Sequence, residues 1–223
     1  MTPKRLVAEG LGTALLVAAV VGSGIMATKL AGGNTAIALL ANTLATGAAL
    51  VALILMFGPV SGAHFNPVVT LSLAAQRQLP IVIAAGYVVV QIAGAIAGAT
   101  LANAMFDLDP VSWSATDRHG IAKLLSEAVA TFGLVGVVMA VGRTRATAAP
   151  FAVAAYIMAA YWFTASTSFA NPAVTIGRMF SDTFAGIRPV DAPGFIAAQL
   201  VGGVLATVVF GWLVPATDPP ALR

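Results

Sequence analysis

The sequence predicts an all-α membrane protein with six transmembrane helices and two re-entrant half-helices, built as an inverted repeat of three spans plus three. Of its 223 residues, 59% are hydrophobic and only 9% are charged, whereas soluble domains carry about 25% charged residues. The charges are also clustered, since Asp, Glu, Lys and Arg are all absent between Lys29 and Arg77. Two Asn-Pro pairs, each inside an apolar stretch, supply the half-helices.

Six windows reach the length of about 20 apolar residues that a spanning helix needs. These windows are Leu6–Ala27, Thr35–Phe57, Ile81–Met105, Ile121–Val141, Phe151–Ser168 and Phe195–Val214. An even number of spans places both termini on one side of the membrane. Six Lys and Arg fall on that side and five on the other, so the positive-inside rule favours cytoplasmic termini.

The two halves of the chain resemble each other. Three segments of the first half recur in the same order in the second half. Glu9-Gly-Leu-Gly-Thr13 matches Glu127-Ala-Val-Ala-Thr131, and Asn66-Pro-Val-Val-Thr70 matches Asn171-Pro-Ala-Val-Thr175. The third match is between Gln91-x-x-Gly94 and Gln199-x-x-Gly202. Each half holds an odd number of spans, so the second half is inverted relative to the first. Inverted repeats commonly place a solute pathway at their interface.

The Asn-Pro pairs predict helix starts, because Asn is a favoured N-cap and Pro suits the first helical position. Asn66-Pro67 and Asn171-Pro172 are followed by short apolar runs that end at Arg77 and near Asp182. Ten or so residues form a helix of about 15 Å, half a bilayer. We therefore expect two half-helices whose N-termini meet at the midplane.

Non-helical backbone at the midplane is tolerated only where it lines a cavity or is buried in protein. The segments Ser61–Phe65 and Ser166–Ala170 precede the two asparagines, and their carbonyl oxygens are expected to line a narrow path. The residues expected to carry these carbonyls are Gly62, Ala63, His64, Phe65, Ser168, Phe169 and Ala170.

The chain resembles the aquaporin, or major intrinsic protein, family, whose signature is a pair of Asn-Pro-Ala boxes in an inverted six-helix repeat. The first box has Val68 in place of the usual Ala, and the second is intact at Ala173. The resemblance implies a homotetramer in the bilayer, with one pore per subunit for water and small neutral solutes. The pore centre is then expected at Asn66, Pro67, Val68, Asn171, Pro172 and Ala173.

The position that follows the second box departs from the family, because Val174 stands where an arginine is usual. Counting from each box places the other constriction positions at Thr46, Ala159 and Ser168. These four small, neutral side chains predict a wide constriction. Arg178 lies one turn beyond Val174, and we expect it either to reach the vestibule or to pair with a loop acid or carbonyl.

The segment from Asn171 to Gly186 resembles a bacterial subgroup associated with arsenic-resistance operons. We expect a single channel domain over 1–223, with the repeats that the internal alignment predicts at about 6–106 and 121–215, in the inner (plasma) membrane. Undissociated arsenite, methylated arsenicals, glycerol and urea all fit the wide constriction.

Glu9 and Glu127 suggest either a proton relay, since intramembrane carboxylates are usually functional, or a support for the loops of their own half. Their symmetric positions favour support. His64 precedes Asn66 by two residues and is expected to make a static hydrogen bond rather than to gate the pore with pH.

Several functions are excluded by composition. The scattered basic residues form no nucleic-acid-binding face. The chain has no cysteine and only two histidines, which lie far apart, so we expect no metal site and no cofactor. No catalytic triad is recognisable. Three alternatives to a selective channel remain open: a secondary transporter, a structural membrane protein with a closed pore, and an ion leak.

Overall fold

The computed structural model describes residues 3–214 and contains eight α-helices in that range. They are α1 (Pro3–Leu30), α2 (Thr35–Ser61), α3 (Pro67–Ala75), α4 (Ile81–Met105), α5 (Ile121–Thr144), α6 (Ala149–Phe163), α7 (Pro172–Arg178) and α8 (Ala192–Leu213). A 3₁₀ turn at Ala146–Ala148 leads into α6, and six of the helical segments are long and apolar enough to cross a membrane. The predicted all-α fold is therefore confirmed. The predicted end of the second repeat, residue 215, and Arg223 lie outside the described residues.

The predicted ends of two spans differ from the structure by four residues or more. Helix α2 continues through Pro59 to Ser61, beyond the predicted end at Phe57, and it stops at Gly62, whose φ of 94° only glycine adopts freely. The fifth span ends at Phe163 because Thr164 is extended, with φ −112° and ψ 142°. Ser168, predicted as the end of that span, therefore lies in a loop.

The half-helices α3 and α7 begin as the Asn-Pro pairs predict. The Asn66 Oδ1 accepts a hydrogen bond from the Val68 N–H at 2.9 Å, and the Asn171 Oδ1 accepts from the Ala173 N–H at 3.0 Å. Helix α7 is shorter than predicted, ending at Arg178 instead of near Asp182, because the chain tightens into an i→i+3 turn at Met179.

Each half packs its first span closely against its third. Helix α1 lies along α4, and α5 lies along α8, while α2 and α6 join the halves. A Cβ atom added at Gly94 would clash with the Gly10 carbonyl, and one added at Gly202 would clash with the Ala128 carbonyl. Such approach suits helices in lipid, where association depends on packing instead of the hydrophobic effect.

Candidate functional site

The tips of the two half-helices meet and bind each other through their asparagines. The Asn66 Nδ2 donates to the Ala170 carbonyl at 2.8 Å, and the Asn171 Nδ2 donates to the Phe65 carbonyl at 2.8 Å. Each amide group therefore uses one N–H to brace the opposite loop. An amide carries two N–H donors, so the second of each is left for another partner.

A cavity of about 350 Å³ passes both asparagines. It extends from a region near Gln78 and Arg143, which we call the α3 end, to a region near Phe169 and Arg178, which we call the α7 end. The half-helices contribute matching stripes at the same spacing from their Asn residues, and the pairs are Asn66 with Asn171, Val69 with Val174, and Leu73 with Arg178.

The loops before the asparagines hold unusual backbone conformations. Non-glycine residues have positive φ at Ala63 (51°), Phe65 (48°), Thr167 (62°), Ser168 (52°) and Ala170 (48°). A non-glycine residue in the left-handed region is uncommon and costs free energy unless its surroundings impose it. These loops therefore need strong local support.

Glu9 provides that support in the first half. It is fully buried, and its carboxyl group accepts four hydrogen bonds. The Oε1 atom accepts from the Ser61 hydroxyl at 2.6 Å and the His64 N–H at 3.0 Å, and Oε2 accepts from the Phe65 N–H and the Gln91 amide, both at 2.8 Å.

Glu127 repeats the arrangement in the second half. Its carboxyl accepts from the Phe169 N–H at 2.8 Å, the Ala170 N–H at 2.8 Å and the Gln199 amide at 2.7 Å. Both glutamates are thus bound to loop backbone, which favours loop support over proton transfer.

The two glutamines complete the symmetry. Gln91 also donates to the Thr70 hydroxyl at 3.0 Å, and Gln199 donates to the Thr175 hydroxyl at 2.9 Å. The sequence marks both glutamines as repeat landmarks, but it does not reveal that they tie each glutamate to its half-helix.

The four predicted constriction residues do not all line the cavity. Thr46, Ser168 and Val174 do, but Ala159 lies exposed on another face of α6. Tyr161, two residues further along α6, lines the cavity instead, and its hydroxyl lies 3.2 Å from the Thr46 Oγ1. Residues two apart on a helix differ by about 200°, so a small change in loop length reverses the face. No signal in the sequence identified Tyr161.

Other residues predicted at the pore centre are buried behind it. Val68 packs against Gly203 of α8, and Pro67 and Pro172 occupy the first turns of their half-helices. Ala173 and Ala170 are fully buried and are not among the lining residues, although Ala170 contributes its carbonyl oxygen to Asn66. Gly62, Ala63, His64, Phe65, Ser168 and Phe169 do line the cavity.

His64 faces the α3 end and is held on two sides. Its Nδ1 lies 3.1 Å from the Thr70 hydroxyl, and its ring packs edge-on against Tyr87 with centroids 5.3 Å apart. This arrangement agrees with a static role for the imidazole.

Two arginines flank Phe169 at the α7 end. The guanidinium of Arg118, from the loop before α5, lies 4.7 Å from the ring centroid, and that of Arg178 lies 3.4 Å from it. Burial lowers the pKa of Arg118 to about 10, so this side chain is still protonated at neutral pH. No feature of the sequence indicates that Arg118 belongs to this region.

Six spans, two half-helices joined tip to tip and a cavity through their junction define a multi-pass membrane channel. Comparison with known proteins identifies the family. Residues 2–159 match the major intrinsic protein family, and the chain belongs to that family. Members of this family are channels for water and small solutes and are not enzymes.

Three known proteins illustrate the relationship. Aquaglyceroporin AqpS of Rhizobium meliloti (strain 1021) is 56% identical over 216 residues, covering 97% of this chain and 92% of the relative. Aquaporin Z of Rhodopseudomonas palustris is 30% identical, covering 96% of this chain and 95% of the relative. The X-ray structure of the aquaglyceroporin from Plasmodium falciparum has a TM-score of 0.75 at 17% identity, covering 95% of this chain and 96% of that one, and shows the shared fold.

Proposed function

We propose that the chain is a passive channel whose constriction admits uncharged solutes larger than water. The observation that carries this proposal is the lining of the α7 end, where Thr46, Ser168 and Val174 are small and Val174, not an arginine, directly follows the second Asn-Pro-Ala box. Tyr161 contributes a hydroxyl beside Thr46. Hydroxyl groups opposite an apolar side chain suit molecules that are polar on one face.

Glycerol, urea and undissociated arsenite or methylated arsenicals are the proposed solutes. All are small, neutral at physiological pH and rich in hydrogen-bonding groups. The free N–H donors of Asn66 and Asn171 and the carbonyls of the left-handed loops supply partners along the path. Apolar residues such as Val69 and Leu73 on the remaining wall keep binding weak, which rapid passage requires.

The arrangement of the half-helices favours neutral solutes over cations. Both N-termini face the cavity centre, and aligned peptide dipoles place a partial positive charge there. Within residues 3–214, no Asp or Glu lines the cavity, so no carboxylate is available there to couple transport to protons. This favours a channel over a secondary transporter.

The similarity to AqpS supports the proposed class of solute, because that relative is named an aquaglyceroporin. A bacterial relative also favours an inner-membrane location. We further propose a homotetramer, in keeping with the family, and large exposed apolar residues on α8, such as Val204, Val208 and Trp212, are suited to lipid or a neighbouring subunit.

A swelling assay on reconstituted vesicles tests the proposal. Wild-type protein should pass glycerol and urea, and Val174→Arg should lower glycerol flux by about tenfold or more because a long charged side chain then fills the constriction. Val174→Thr, which keeps size and neutrality, is the matched control and should retain glycerol flux.

Two results would contradict the proposal. Wild-type water flux without uptake of any larger solute would exclude a wide constriction, and unchanged glycerol flux in Val174→Arg would show that Val174 does not border the narrowest point. Saturable uptake that collapses with the proton gradient would instead favour a transporter.

A further inference from the structure

Two arginines without an acidic partner lie at the α7 end, the buried Arg178, which lines the cavity, and the partly buried Arg118 beside it. Arg178 is 2% exposed. Within residues 3–214, neither Arg118 nor Arg178 lies within salt-bridge distance of a carboxylate. Burying an uncompensated charge is expensive, so these two positions call for an explanation.

Arg118 is explained by its contacts with the protein. Its Nε donates to the Gly186 carbonyl at 2.7 Å, Nη1 donates to the Ser166 carbonyl at 3.2 Å and Nη2 donates to the Phe184 carbonyl at 3.2 Å. All three nitrogens are engaged with loop backbone. Arg118 therefore acts as a clamp that holds the loops around Phe169.

Arg178 differs because only its Nε is engaged. That atom donates to the Ala185 carbonyl, and the guanidinium stacks on the Phe169 ring. The two terminal nitrogens have no hydrogen-bond partner among the described residues. They are not sealed inside the protein either, since Arg178 lines the cavity and neither atom is among the buried atoms without partners.

The internal repeat shows that this position faces the pore. Leu73 and Arg178 each lie seven residues after the asparagine of their half-helix, and both line the cavity. Val69 and Val174, three residues after each asparagine, do the same. The cavity-lining stripes of the two half-helices thus match except at their last position, where α7 has the Arg178 guanidinium and α3 has the Leu73 isobutyl group.

We propose that Arg178 is a specificity-determining residue, supplying the positive charge and the solute-facing N–H donors of the α7 end one helical turn beyond Val174. The inference rests on the proposed channel function. A fixed guanidinium in a low-dielectric passage repels cations and donates hydrogen bonds to solute oxygens. Phe169 and the Ala185 carbonyl fix its plane, so the terminal N–H groups stay directed at the passing solute.

The test removes the charge and keeps as much of the side chain's packing as possible. Arg178→Gln retains a planar amide donor for the Ala185 carbonyl, and Arg178→Lys retains the charge without the fork. Arg188→Gln, which removes a partly exposed arginine paired with Asp117 at 2.9 Å, is the matched control for net charge. The readouts on reconstituted vesicles are proton leak, K⁺ leak and water flux.

We expect Arg178→Gln to raise proton or K⁺ permeability by about tenfold or more relative to the water flux of the same variant. Arg178→Lys and Arg188→Gln should remain within about twofold of wild type, because both keep the charge at the pore. Adding Val174→Arg to Arg178→Gln should restore exclusion of cations, since it returns a guanidinium to the same wall.

Two outcomes overturn the proposal. Arg178→Gln that conducts water without any cation leak shows that the charge is not needed, and equal leaks in the Gln and Lys variants show that the side chain only holds the Phe169 loop. If the Gln variant does not fold, Arg178→Met, which keeps an unbranched stem against Phe169, is scored by the same criteria. If the wild-type protein passes neither water nor glycerol, the proposed channel function itself is contradicted.

Discussion

The two halves of the molecule share one supporting framework but differ in what they present to the cavity. Glu9, Gln91 and Thr70 form the same hydrogen-bonded chain as Glu127, Gln199 and Thr175. The cavity-lining side chains differ at two positions, two residues before and seven residues after each asparagine. The α3 half has His64 and Leu73 there, and the α7 half has Phe169 and Arg178.

The difference follows from the loops available to each half. The connection after α7 runs from Met179 to Asp191, and the loop from Phe106 to Gly120 packs on it through Arg118. The α3 half has only the short connections 31–34 and 76–80. These long loops provide the carbonyls that hold Arg118 and Arg178 at the α7 end. The shared framework thus supports different side-chain chemistry in its two halves.

The largest expected effect comes from breaking the shared framework. In Glu9→Gln the new NH₂ group replaces an oxygen that accepts two hydrogen bonds, whichever way the amide turns, whereas in Glu127→Gln it can replace the oxygen that accepts only the Phe169 N–H. A hydrogen bond to a carboxylate is worth about 1.5–3 kcal/mol, so we expect Glu9→Gln to lose about 3–6 kcal/mol of stability and Glu127→Gln about 1.5–3 kcal/mol.

Thermal unfolding in detergent, together with water flux, measures this effect. Asp109→Asn, at an exposed acid in the loop after α4, is the control and should behave as wild type. Equal stability of the wild type and both Glu variants would show that the carboxyl groups do not support the loops.

A smaller effect is expected where the first and third spans of each half touch. Gly94→Ala and Gly202→Ala each push a methyl group into a carbonyl of the facing helix, and overpacking of this kind costs about 1–3 kcal/mol. Since both contacts have the same geometry, the two losses should agree within about 1 kcal/mol.

Gly58→Ala is the matched control, because nothing lies within 4 Å of a Cβ atom added at Gly58. It should be neutral or stabilising by up to about 1 kcal/mol, the difference in helix propensity. Tolerance of alanine at either Gly94 or Gly202 would contradict the close approach in that half.

The smallest expected effect belongs to the α7 end alone. Asp191 accepts hydrogen bonds from the Arg118 backbone N–H at 2.9 Å and the Arg188 Nε at 3.0 Å. Burial raises the pKa of Asp191, but the hydrogen bond from Arg188 and that from Arg118 outweigh it and hold the pKa below its ordinary value. Because the folded-state pKa is depressed, the stabilisation is present above about pH 4 and is lost as the pH falls through the folded-state pKa.

Asp191→Asn should therefore destabilise the protein by about 0.5–1.5 kcal/mol at neutral pH, and the difference from wild type should shrink on acidification. Unfolding in detergent between pH 3 and pH 7 checks both statements. A difference that does not depend on pH would mean that the charge of Asp191 contributes nothing.

Much of the framework was predictable because it depends on local chemistry and on repetition. Charge-free windows long enough to cross a membrane predict the spans, and the Asn-Pro pairs predict that helices start at Asn66 and Asn171. The repeat then related Glu9 to Glu127 before any contact was known. The boundaries were less certain, as α2 shows, because Pro59 is tolerated within the helix and Gly62 ends it.

Which side chains line the pore depends on helix rotation and loop contacts, which the spacing of residues in the sequence does not specify. Ala159 and Tyr161 are separated by two residues, and helix rotation after a loop decides which of them meets Thr46. Val68 follows Asn66 closely but turns towards Gly203 of α8. Arg118 comes from a loop with no counterpart in the repeat, so internal symmetry did not identify it.

The residues alone specify a membrane environment, six spans, inverted halves and two asparagine-capped helix starts, because hydrophobic length and capping chemistry are local properties. Packing selects the side chains that face the cavity: Tyr161 lines it in preference to Ala159, and Arg178 reaches it with no partner for its terminal nitrogens among residues 3–214. These outcomes depend on helix rotation and on contacts between distant loops, which only the packed chain fixes.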